Sequence, residues 1–281
     1  MSKHGSARAI LAGAALIALA GCGVPAATAP DVPSETARNT TTGVTAEASS
    51  AAPVTSGRQS AAPVTSGGQR ETSQSFVTAN SIPFPVAVGN TWVYQTTASG
   101  ETGQTTNRIV SAGPGPAGYE VTMTSTTAVA GTATAVQLVY LFYPDGTIGY
   151  AVPPINGVSV AGGGIRWPDA AGLASGQAYH SVLRILVAQT GQYENADVTV
   201  QGAGTTSVSV PAGTYQASVV DTTITAKVGG YTITVEVTTW IAQGVGPVET
   251  VELIRSAGNT ELTTTNALQS FTKGAVAGIG S

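Results

Sequence analysis

Apolar and polar residues alternate with a period of two between residue 82 and about residue 268. In the clearest segment, the apolar residues that lie on one face are Tyr231, Ile233, Val235, Val237 and Ile241. Threonine and glutamate side chains occupy the alternate positions. Because a strand turns successive side chains to opposite faces, this pattern predicts half-buried antiparallel strands. Residues 119–124 alternate in the same way, whereas Val136–Tyr143 is apolar on both faces and predicts a central or doubly covered strand.

Clusters of glycine and proline separate these segments and predict the turns between them. They are Gly113–Pro116, Pro144–Gly146, Pro153–Pro154, Gly162–Gly164, Gly202, Gly229–Gly230, Gly244–Pro247 and Gly258–Asn259. Glycine permits a positive φ and proline fixes φ, so each cluster can reverse the chain. The spacing predicts about ten strands in an all-β domain, a single curved antiparallel sheet with a half-barrel or sandwich-like form. Helix is scarce, and the ambiguous segment Ser181–Gln189 is interpreted as a strand.

The first 21 residues have the order of a secretory signal peptide. Lys3 and Arg8, with no acidic residue, precede the uncharged apolar or small segment Ala9–Ala20. A helix of about twelve residues rises only about 18 Å, which is well short of the roughly 30 Å hydrocarbon core. The segment is therefore interpreted as a targeting signal rather than a permanent membrane span.

The signal ends in Leu19, Ala20, Gly21 and Cys22, a sequence that resembles the lipobox of bacterial lipoproteins. The resemblance implies that lipid is attached to the Cys22 thiol and that cleavage makes Cys22 the first mature residue. Cys22 is the only cysteine of the chain, so the domain is expected to contain no disulfide. The expected location is the cell membrane or outer membrane, with the lipid-anchored chain facing the periplasm or the extracellular space. An ordinary secretory signal with a free cysteine is the alternative.

Residues 22–75 are rich in Ala, Pro, Ser, Thr and Gly and predict a disordered linker. The linker contains a direct duplication, Ala51–Gly57 and Ala61–Gly67, with no hydrophobic face. A flexible coil of this length spans about 40 Å, so it lets the domain stand away from the membrane. The β-rich domain is expected over residues 76–270, followed by a loose tail over 271–281.

Charged residues make up only 9% of the chain, against about 25% in typical proteins. Removal of the signal leaves nine Lys and Arg residues against fifteen acidic residues. This acidic balance opposes binding to nucleic acid and to anionic lipid headgroups. The membrane contact is therefore expected to be the lipid on Cys22.

Three motifs extend across most of the domain. They are Gly89-Asn90-x-Trp92-x-Tyr94, Val210–Tyr215 and Trp240–Val248. Together they resemble envelope lipoproteins with a G-N-x-W-x-Y opening and a W-x-A-x-G-V-G-x-V closing motif. Those proteins are distantly similar to periplasmic lipoprotein carriers of the LolA type, so the resemblance implies a curved antiparallel sheet around an apolar cavity. Trp92, Tyr94 and Trp240 are expected in the core or at turns, with a role in lining a ligand cavity as the alternative.

The aromatic residues Tyr140, Phe142, Tyr143, Tyr150 and Trp167 cluster around two predicted turns and either fill the core or line a pocket. The candidate apolar pocket consists of Trp92, Tyr94, Tyr140, Phe142, Tyr150, Trp167 and Trp240. It is expected to accept a lipid or another hydrophobic small molecule.

Residues suited to catalysis or metal binding are few. With one histidine, His180, and one cysteine in the mature chain, zinc sites built from Cys and His are excluded, and no metal or other cofactor is expected. Ser159, Asp169 and His180 follow in hydrolase order, but glycines and a proline stand where the helix after the serine should begin. Glu249 and Glu252 are predicted on opposite faces of one strand and cannot share a substrate. Asp145 is interpreted as a turn residue, with calcium binding as the alternative.

The sequence thus predicts a non-catalytic, membrane-anchored envelope lipoprotein whose β domain binds an apolar ligand such as a lipid or glycolipid. One alternative is a structural or interaction protein that presents a Thr-rich β surface to another envelope component. A serine hydrolase using Ser159 and His180 is the weaker alternative.

Overall fold

The computed structural model describes residues 84–151, 158–161, 164–187, 191–228, 231–256 and 259–274. The signal peptide, the lipobox residues Leu19, Ala20, Gly21 and Cys22, and the linker of residues 22–75 lie outside the described residues. The predicted turns at Pro153–Pro154 and Gly229–Gly230 also lie outside them.

The described chain folds into thirteen strands and one short helix. The strands are β1 (Thr91–Ala98), β2 (Glu101–Pro114), β3 (Tyr119–Val129), β4 (Thr132–Phe142), β5 (Ile148–Ala151), β6 (Val158–Ala161), β7 (Ile165–Trp167), β8 (Tyr179–Val187), β9 (Gln192–Val210), β10 (Gly213–Val228), β11 (Tyr231–Ala242), β12 (Gly246–Ser256) and β13 (Asn259–Thr272). The helix, α1 (Ala170–Ser175), lies between β7 and β8.

All thirteen strands belong to one antiparallel sheet, in the order β6-β8-β9-β10-β11-β12-β13-β1-β2-β3-β4-β5-β7. Most neighbours are joined by hairpins, and the pairing of β13 with β1 brings the two ends of the domain together in the middle of the sheet. The predicted all-β class and single curved sheet are confirmed. The sheet has more strands than the predicted ten, and β5, β6 and β7, which have only three or four residues each, contribute to the excess.

The sheet curls into a nearly closed, barrel-shaped wall. Its two edge strands are β6 and β7, and β7 lies close to β8 and β9 on the other side of the opening. Among the described strands, β7 forms backbone pairs only with β5. We call the line between β7 and β8 the seam, because the wall is not hydrogen-bonded across it.

The inward faces of the strands form one core. In β11 the odd-numbered residues from Ile233 to Ile241 are buried and the even-numbered ones are half-buried or exposed, as the alternation predicts. The same rule places Val248 and Ile254 of β12 inside. Complete burial of a large aliphatic side chain contributes about 1.5–3 kcal/mol, so this inner face is the main source of stability.

Gly202 was expected in a turn, and that prediction is wrong. It lies within β9, where it pairs with Val220 of β10 next to a β-bulge. A Cβ atom at this position would overlap the carbonyl oxygen of Leu173, so the glycine allows α1 to pack directly on β9. The glycine therefore serves close backbone approach, the second common reason for a glycine in a strand.

Two further strand predictions are tested by the structure. Ser181 to Val187 is strand, as expected for the ambiguous segment Ser181–Gln189. In β4 the inward residues Leu138, Tyr140 and Phe142 are buried, but the outward Val139 and Leu141 are only half-buried, so this strand is interior to the sheet and not covered on both faces. The last strand, β13, ends at Thr272.

Helices contribute little to this architecture. The six residues of α1 form the one helix with described residues, and Asp169 caps its first turn by accepting a hydrogen bond from the Gly172 amide at 2.8 Å. Within the described ranges, no helix is long and apolar enough to cross a membrane.

Candidate functional site

A cavity of about 50 Å³ lies inside the curved sheet beside β7, the strand that forms one side of the seam. One wall comes from the strands that lead to the seam edge and carries aromatic and branched side chains: Phe84, Tyr140, Phe142, Ile148, Tyr150, Ile165 and Trp167. The opposite wall comes from β10, β11 and β12: Thr222, Ile224, Val237, Thr239, Pro247 and Thr250. The cavity is thus mainly apolar, with aromatic rings on one side and three threonines among the apolar residues of the other.

The aromatic wall is held together by ring contacts. Phe84 lies 5.4 Å from the Tyr140 ring centroid and 5.6 Å from that of Trp92. Tyr140 and Tyr150 face each other across β4 and β5 at 5.7 Å. Aromatic pairs at these separations contribute about 0.5–1.5 kcal/mol beyond their burial, so the wall is a preformed surface.

The size of the cavity limits what it holds without movement. An apolar cavity of about 150 Å³ binds benzene, and the cavity at the seam has a third of that volume. The interior is therefore largely filled. An apolar chain longer than a few carbon atoms requires the two walls to separate at the seam.

A stripe of buried polar side chains crosses the interior next to the cavity. The Thr96 hydroxyl donates a hydrogen bond to Asn266 Oδ1 at 2.7 Å. Thr96 and Thr105 share a second bond at 2.7 Å, and Thr105 and Thr127 share a third at 2.9 Å. This network joins β13, β1, β2 and β3, so the polar groups of this part of the core stabilise one another.

Glu252 lies at the end of this stripe, on β12. Its side chain faces inward, 2% exposed, while Glu249 faces outward and is half-buried. The prediction that these two carboxyls lie on opposite faces is therefore confirmed. Burial raises the pKa of Glu252 well above its ordinary value, and partial burial also raises the pKa of Glu249.

The structure places the seven predicted pocket residues in three different environments. Tyr140, Phe142, Tyr150 and Trp167 line the cavity. Trp92 and Tyr94 are core residues: the Trp92 indole donates to the Val245 carbonyl at 2.6 Å, and the Tyr94 hydroxyl donates to the Pro247 carbonyl at 3.0 Å.

Trp240 does not line the cavity. It alternates with the buried Thr239 and Ile241 and therefore faces outward from the sheet, half-buried. The sequence motif that contains Trp240 does not reveal this face, because tryptophan is common on both sides of a sheet. Its neighbours on β10 and β12 are Val219 and Glu249, which also face outward.

The cavity also contains residues that the sequence analysis did not select. Phe84, Ile165 and the threonines of the second wall lie far apart in sequence, and only the curl of the sheet brings them together. The inward orientation of Glu252, which is not part of the cavity lining, could have been predicted from sequence, because Glu252 is in phase with the apolar Val248 and Ile254 of the same strand.

The residues proposed for a hydrolase are far apart. Ser159 lies inside β6, paired with Leu186, rather than at a turn that leads into a helix. Leu186 and His180 both lie on β8. They are six residues apart, which corresponds to about 20 Å of extended chain. Asp169 is used in the cap of α1. A triad geometry requires hydrogen-bond contact between serine and histidine, and this arrangement does not provide it.

The remaining polar candidates have local partners. Asp145 accepts hydrogen bonds from the Thr147 amide and hydroxyl and from Arg166 at 2.6 Å. The Thr147 bonds in particular hold the pKa of Asp145 below its ordinary value. His180 Nδ1 lies 3.0 Å from the Thr199 hydroxyl on an exposed surface. Within the described part of the chain, no three His, Cys, Asp or Glu side chains are grouped as a metal site.

A second pocket, of about 190 Å³, lies between α1 and the bulge of β9 and β10. Its lining contains no ionisable side chain and consists of Ala170, Leu173, Ala174, Gly204, Thr205, Ser218, Val219 and Ile241. Thr205 and Ser218 supply the hydroxyl groups of this pocket, and no aromatic ring lines it. The cavity at the seam, with hydroxyl groups and aromatic rings facing each other, is the better candidate site.

Comparison with known proteins identifies the fold. Residues 156–255, from β6 to β12, match the model of a family described as DUF3108-like. A protein from Parabacteroides distasonis, provisionally described as a lipoprotein, superposes with a TM-score of 0.52 and 18% identity, over 69% of this chain and 99% of that one. A protein from Bacteroides fragilis, provisionally described as an exported protein with a YmcC-like fold, has a TM-score of 0.49 and 21% identity, over 69% and 100%. No curated protein sequence matches the chain.

Proposed function

We propose that this chain is an exported, lipid-anchored envelope protein whose β domain binds an apolar ligand at the seam without catalysing a reaction. The observation that carries the proposal is the mainly apolar cavity, with aromatic rings on one wall and three threonines among the residues of the other. Apolar pockets with a few oriented polar groups are the common form of small-molecule sites. Lipids and glycolipids of the envelope have this combination of apolar chains and polar groups.

Export and anchoring rest on the signal and lipobox pattern at Leu19–Cys22. The description of the Parabacteroides distasonis protein as a provisional lipoprotein agrees with this, since that protein has the same fold. The suggested similarity to LolA-type carriers belongs to the same proposal, because those carriers also enclose an apolar cavity in a curved sheet.

The seam provides a way for the ligand to enter. β7 is held by three backbone pairs with β5, and in the described chain it forms none with β8. The walls can therefore separate without breaking the long ladders between the other strands. Expansion of the cavity costs mainly the apolar contacts across the seam, and a bound apolar chain replaces those contacts.

A binding assay with two adjacent substitutions tests this proposal. Thr222 lines the cavity, whereas Thr223 is the next residue of β10 and faces outward. We expect Thr222→Leu to fill the cavity and weaken binding of an uncharged apolar fluorophore about tenfold, and Thr223→Leu to leave binding unchanged. Thermal unfolding of both variants identifies any loss of fold, since overpacking costs about 1–3 kcal/mol. Equal binding by the parent chain and both variants would place the fluorophore elsewhere and reject the site.

A second candidate function is docking of another envelope component on the outer surface. Val182 and Tyr193 are large apolar side chains, 61% and 50% exposed, on the outer part of β8 and β9 near the free edge strand β6. The guanidinium of Arg184 lies 4.3 Å from the Tyr193 ring centroid and holds that ring on the surface. Cross-linking in intact cells at Val182, compared with the exposed Thr272, tests this. Identical products at both positions would count against docking.

A further inference from the structure

Glu252 and Thr264 form an adjacent pair of buried polar side chains in the interior. They are opposite each other on β12 and β13, are 2% and 0% exposed, and share the inward face. Both carboxyl oxygens of Glu252 and the hydroxyl oxygen of Thr264 have no hydrogen-bond partner among the described residues. A buried polar group without a partner costs about 1–3 kcal/mol, and more when it is charged. Three such oxygen atoms side by side therefore indicate a place for a ligand group.

This pair lies at the level of the cavity. Val237, the β11 partner of Glu252, lines the cavity, and so does Thr222, the next inward residue across the sheet on β10. Thr250, two residues before Glu252 on β12, lines it as well. Neighbouring strands lie about 4.8 Å apart, so Glu252 is within one side-chain position of the cavity.

Among the described residues, the interior contains an acidic side chain but no basic one. Glu252 is the one carboxylate among the buried side chains of the described residues. No Lys or Arg in the described ranges is buried; Arg255, the nearest in sequence, is half-buried and pairs with Glu236 at 3.1 Å. Nothing in the described interior therefore balances a negative charge on Glu252.

We propose that the ligand is an amphiphile with a primary ammonium group at its polar end, bound by Glu252 and Thr264 while its apolar chain occupies the seam cavity. This inference rests on the proposed function and specifies the ligand class for the same site. An ammonium group has three N–H donors, which matches the three oxygen atoms without partners. It also supplies the positive charge that the interior lacks, so the two buried charges compensate each other.

Other polar ends fit this site less well. A fatty acid places a second carboxylate beside Glu252 with no cation nearby, and like charges in a buried site repel. A fatty alcohol offers one donor and no charge. The order of affinity expected for chains of equal length is therefore amine, then alcohol, then acid.

The test measures displacement of an uncharged apolar fluorophore from the full mature chain carrying Cys22→Ser. The competitors are a straight-chain alkyl amine, alcohol and carboxylic acid of one length, below their micelle concentrations. We expect the amine to bind at least about tenfold more tightly than the alcohol, a difference of about 1.4 kcal/mol. Glu252→Gln should abolish this preference, so that the ratio of amine to alcohol affinity measured on the same variant falls close to one.

Two further variants make the result specific. Glu249→Gln removes a carboxyl from the outward face of the same strand and should keep the full preference for the amine. Thr264→Val removes the hydroxyl group alone and should reduce the preference several-fold, which provides a second test if Glu252→Gln does not fold. A preference that survives both Glu252→Gln and Thr264→Val arises elsewhere and overturns the inference.

The outcomes separate the inference from the proposed function. If the alcohol and the amine bind equally to the parent chain, the ammonium site is wrong and apolar binding at the seam stands. If none of the three compounds displaces the fluorophore, the proposed function fails and the inference fails with it.

Discussion

At the scale of single residues, the interior contains a carboxyl group whose burial is costly. Glu252 is completely enclosed, and its raised pKa has one cause, the loss of water around the charged form. Residues retained at a cost in stability are common in binding sites, where function and stability compete. This cost gives Glu252 a measurable effect on folding that does not depend on any ligand.

We expect Glu252→Gln to raise the melting temperature at pH 7. The folded state holds the Glu252 proton more tightly than the unfolded state, so the free energy of unfolding falls as pH rises from the ordinary pKa of Glu toward the raised value. Glutamine has no such proton, so the advantage of the variant should shrink as pH is lowered to about 4. Thermal unfolding between pH 4 and pH 8 measures this.

Glu249→Gln serves as the control for this prediction, because Glu249 is only partly buried and its pKa is raised by the same cause. Its effect on the melting temperature should have the same sign and be smaller. A parent chain that is more stable at pH 8 than at pH 4 relative to Glu252→Gln would contradict the assignment of Glu252 as a buried, uncompensated acid.

Trp92 has a structural role that can be tested separately. Its ring stacks on Phe271 at 5.0 Å, and its indole N–H donates to the Val245 carbonyl in the turn between β11 and β12. Trp92→Phe keeps a six-membered aromatic ring but removes the N–H donor and the five-membered part of the indole, so we expect a loss of about 1–3 kcal/mol or more. Chemical denaturation should show a smaller loss for Trp240→Phe, because Trp240 faces outward. Equal losses would mean that the hydrogen bond contributes little.

At the scale of secondary-structure elements, the sequence predicted the strands and turns that depend only on residues close together in the chain. The alternation in β11 identified both its existence and its buried face, and the Pro144–Gly146 and Gly244–Pro247 turns lie where glycine and proline indicated them. Gly202 was misread, because a glycine that permits a turn and a glycine that admits a neighbouring backbone have the same appearance in sequence.

The cavity could not be predicted for a related reason. Its walls come from segments about a hundred residues apart, such as Tyr140 and Thr239, and which residues face each other depends on how far the sheet curls. Four of the five aromatic residues of the aromatic wall were selected from sequence because large aromatic residues are rare in this chain, whereas Thr222, Thr239 and Thr250 could not be distinguished from the many other threonines.

Gly202→Ala tests the packing of α1 on β9. The added methyl group would overlap the Leu173 carbonyl, so the helix must move and we expect a loss of about 1–3 kcal/mol with faster amide exchange in α1. Gly113→Ala is the matched control, since a Cβ there meets no atom within 4 Å. A Gly202→Ala protein as stable as the control would show that α1 does not require this contact.

At the scale of the whole molecule, the sequence predicts a lipid anchor at the amino terminus, and the β domain is a sheet that is open along one line. Cys22→Ser should move the protein from the membrane fraction to the soluble fraction, because no other feature predicted from the sequence attaches the chain to lipid. Cell fractionation of the parent chain and of Cys22→Ser tests this, and the intact mass of the parent chain shows whether Cys22 is modified. A parent chain with an unmodified Cys22 thiol would contradict the anchor.

The central claim is that an apolar ligand enters the cavity at the seam. Native mass spectrometry of the Cys22→Ser chain, purified without detergent from the soluble fraction of its own cells, tests this most directly. We expect a non-covalent adduct with the mass of a lipid or other amphiphile on this protein, and its loss when Thr222→Leu is added. A protein that is recovered only at its bare mass, with and without Thr222→Leu, would contradict the account.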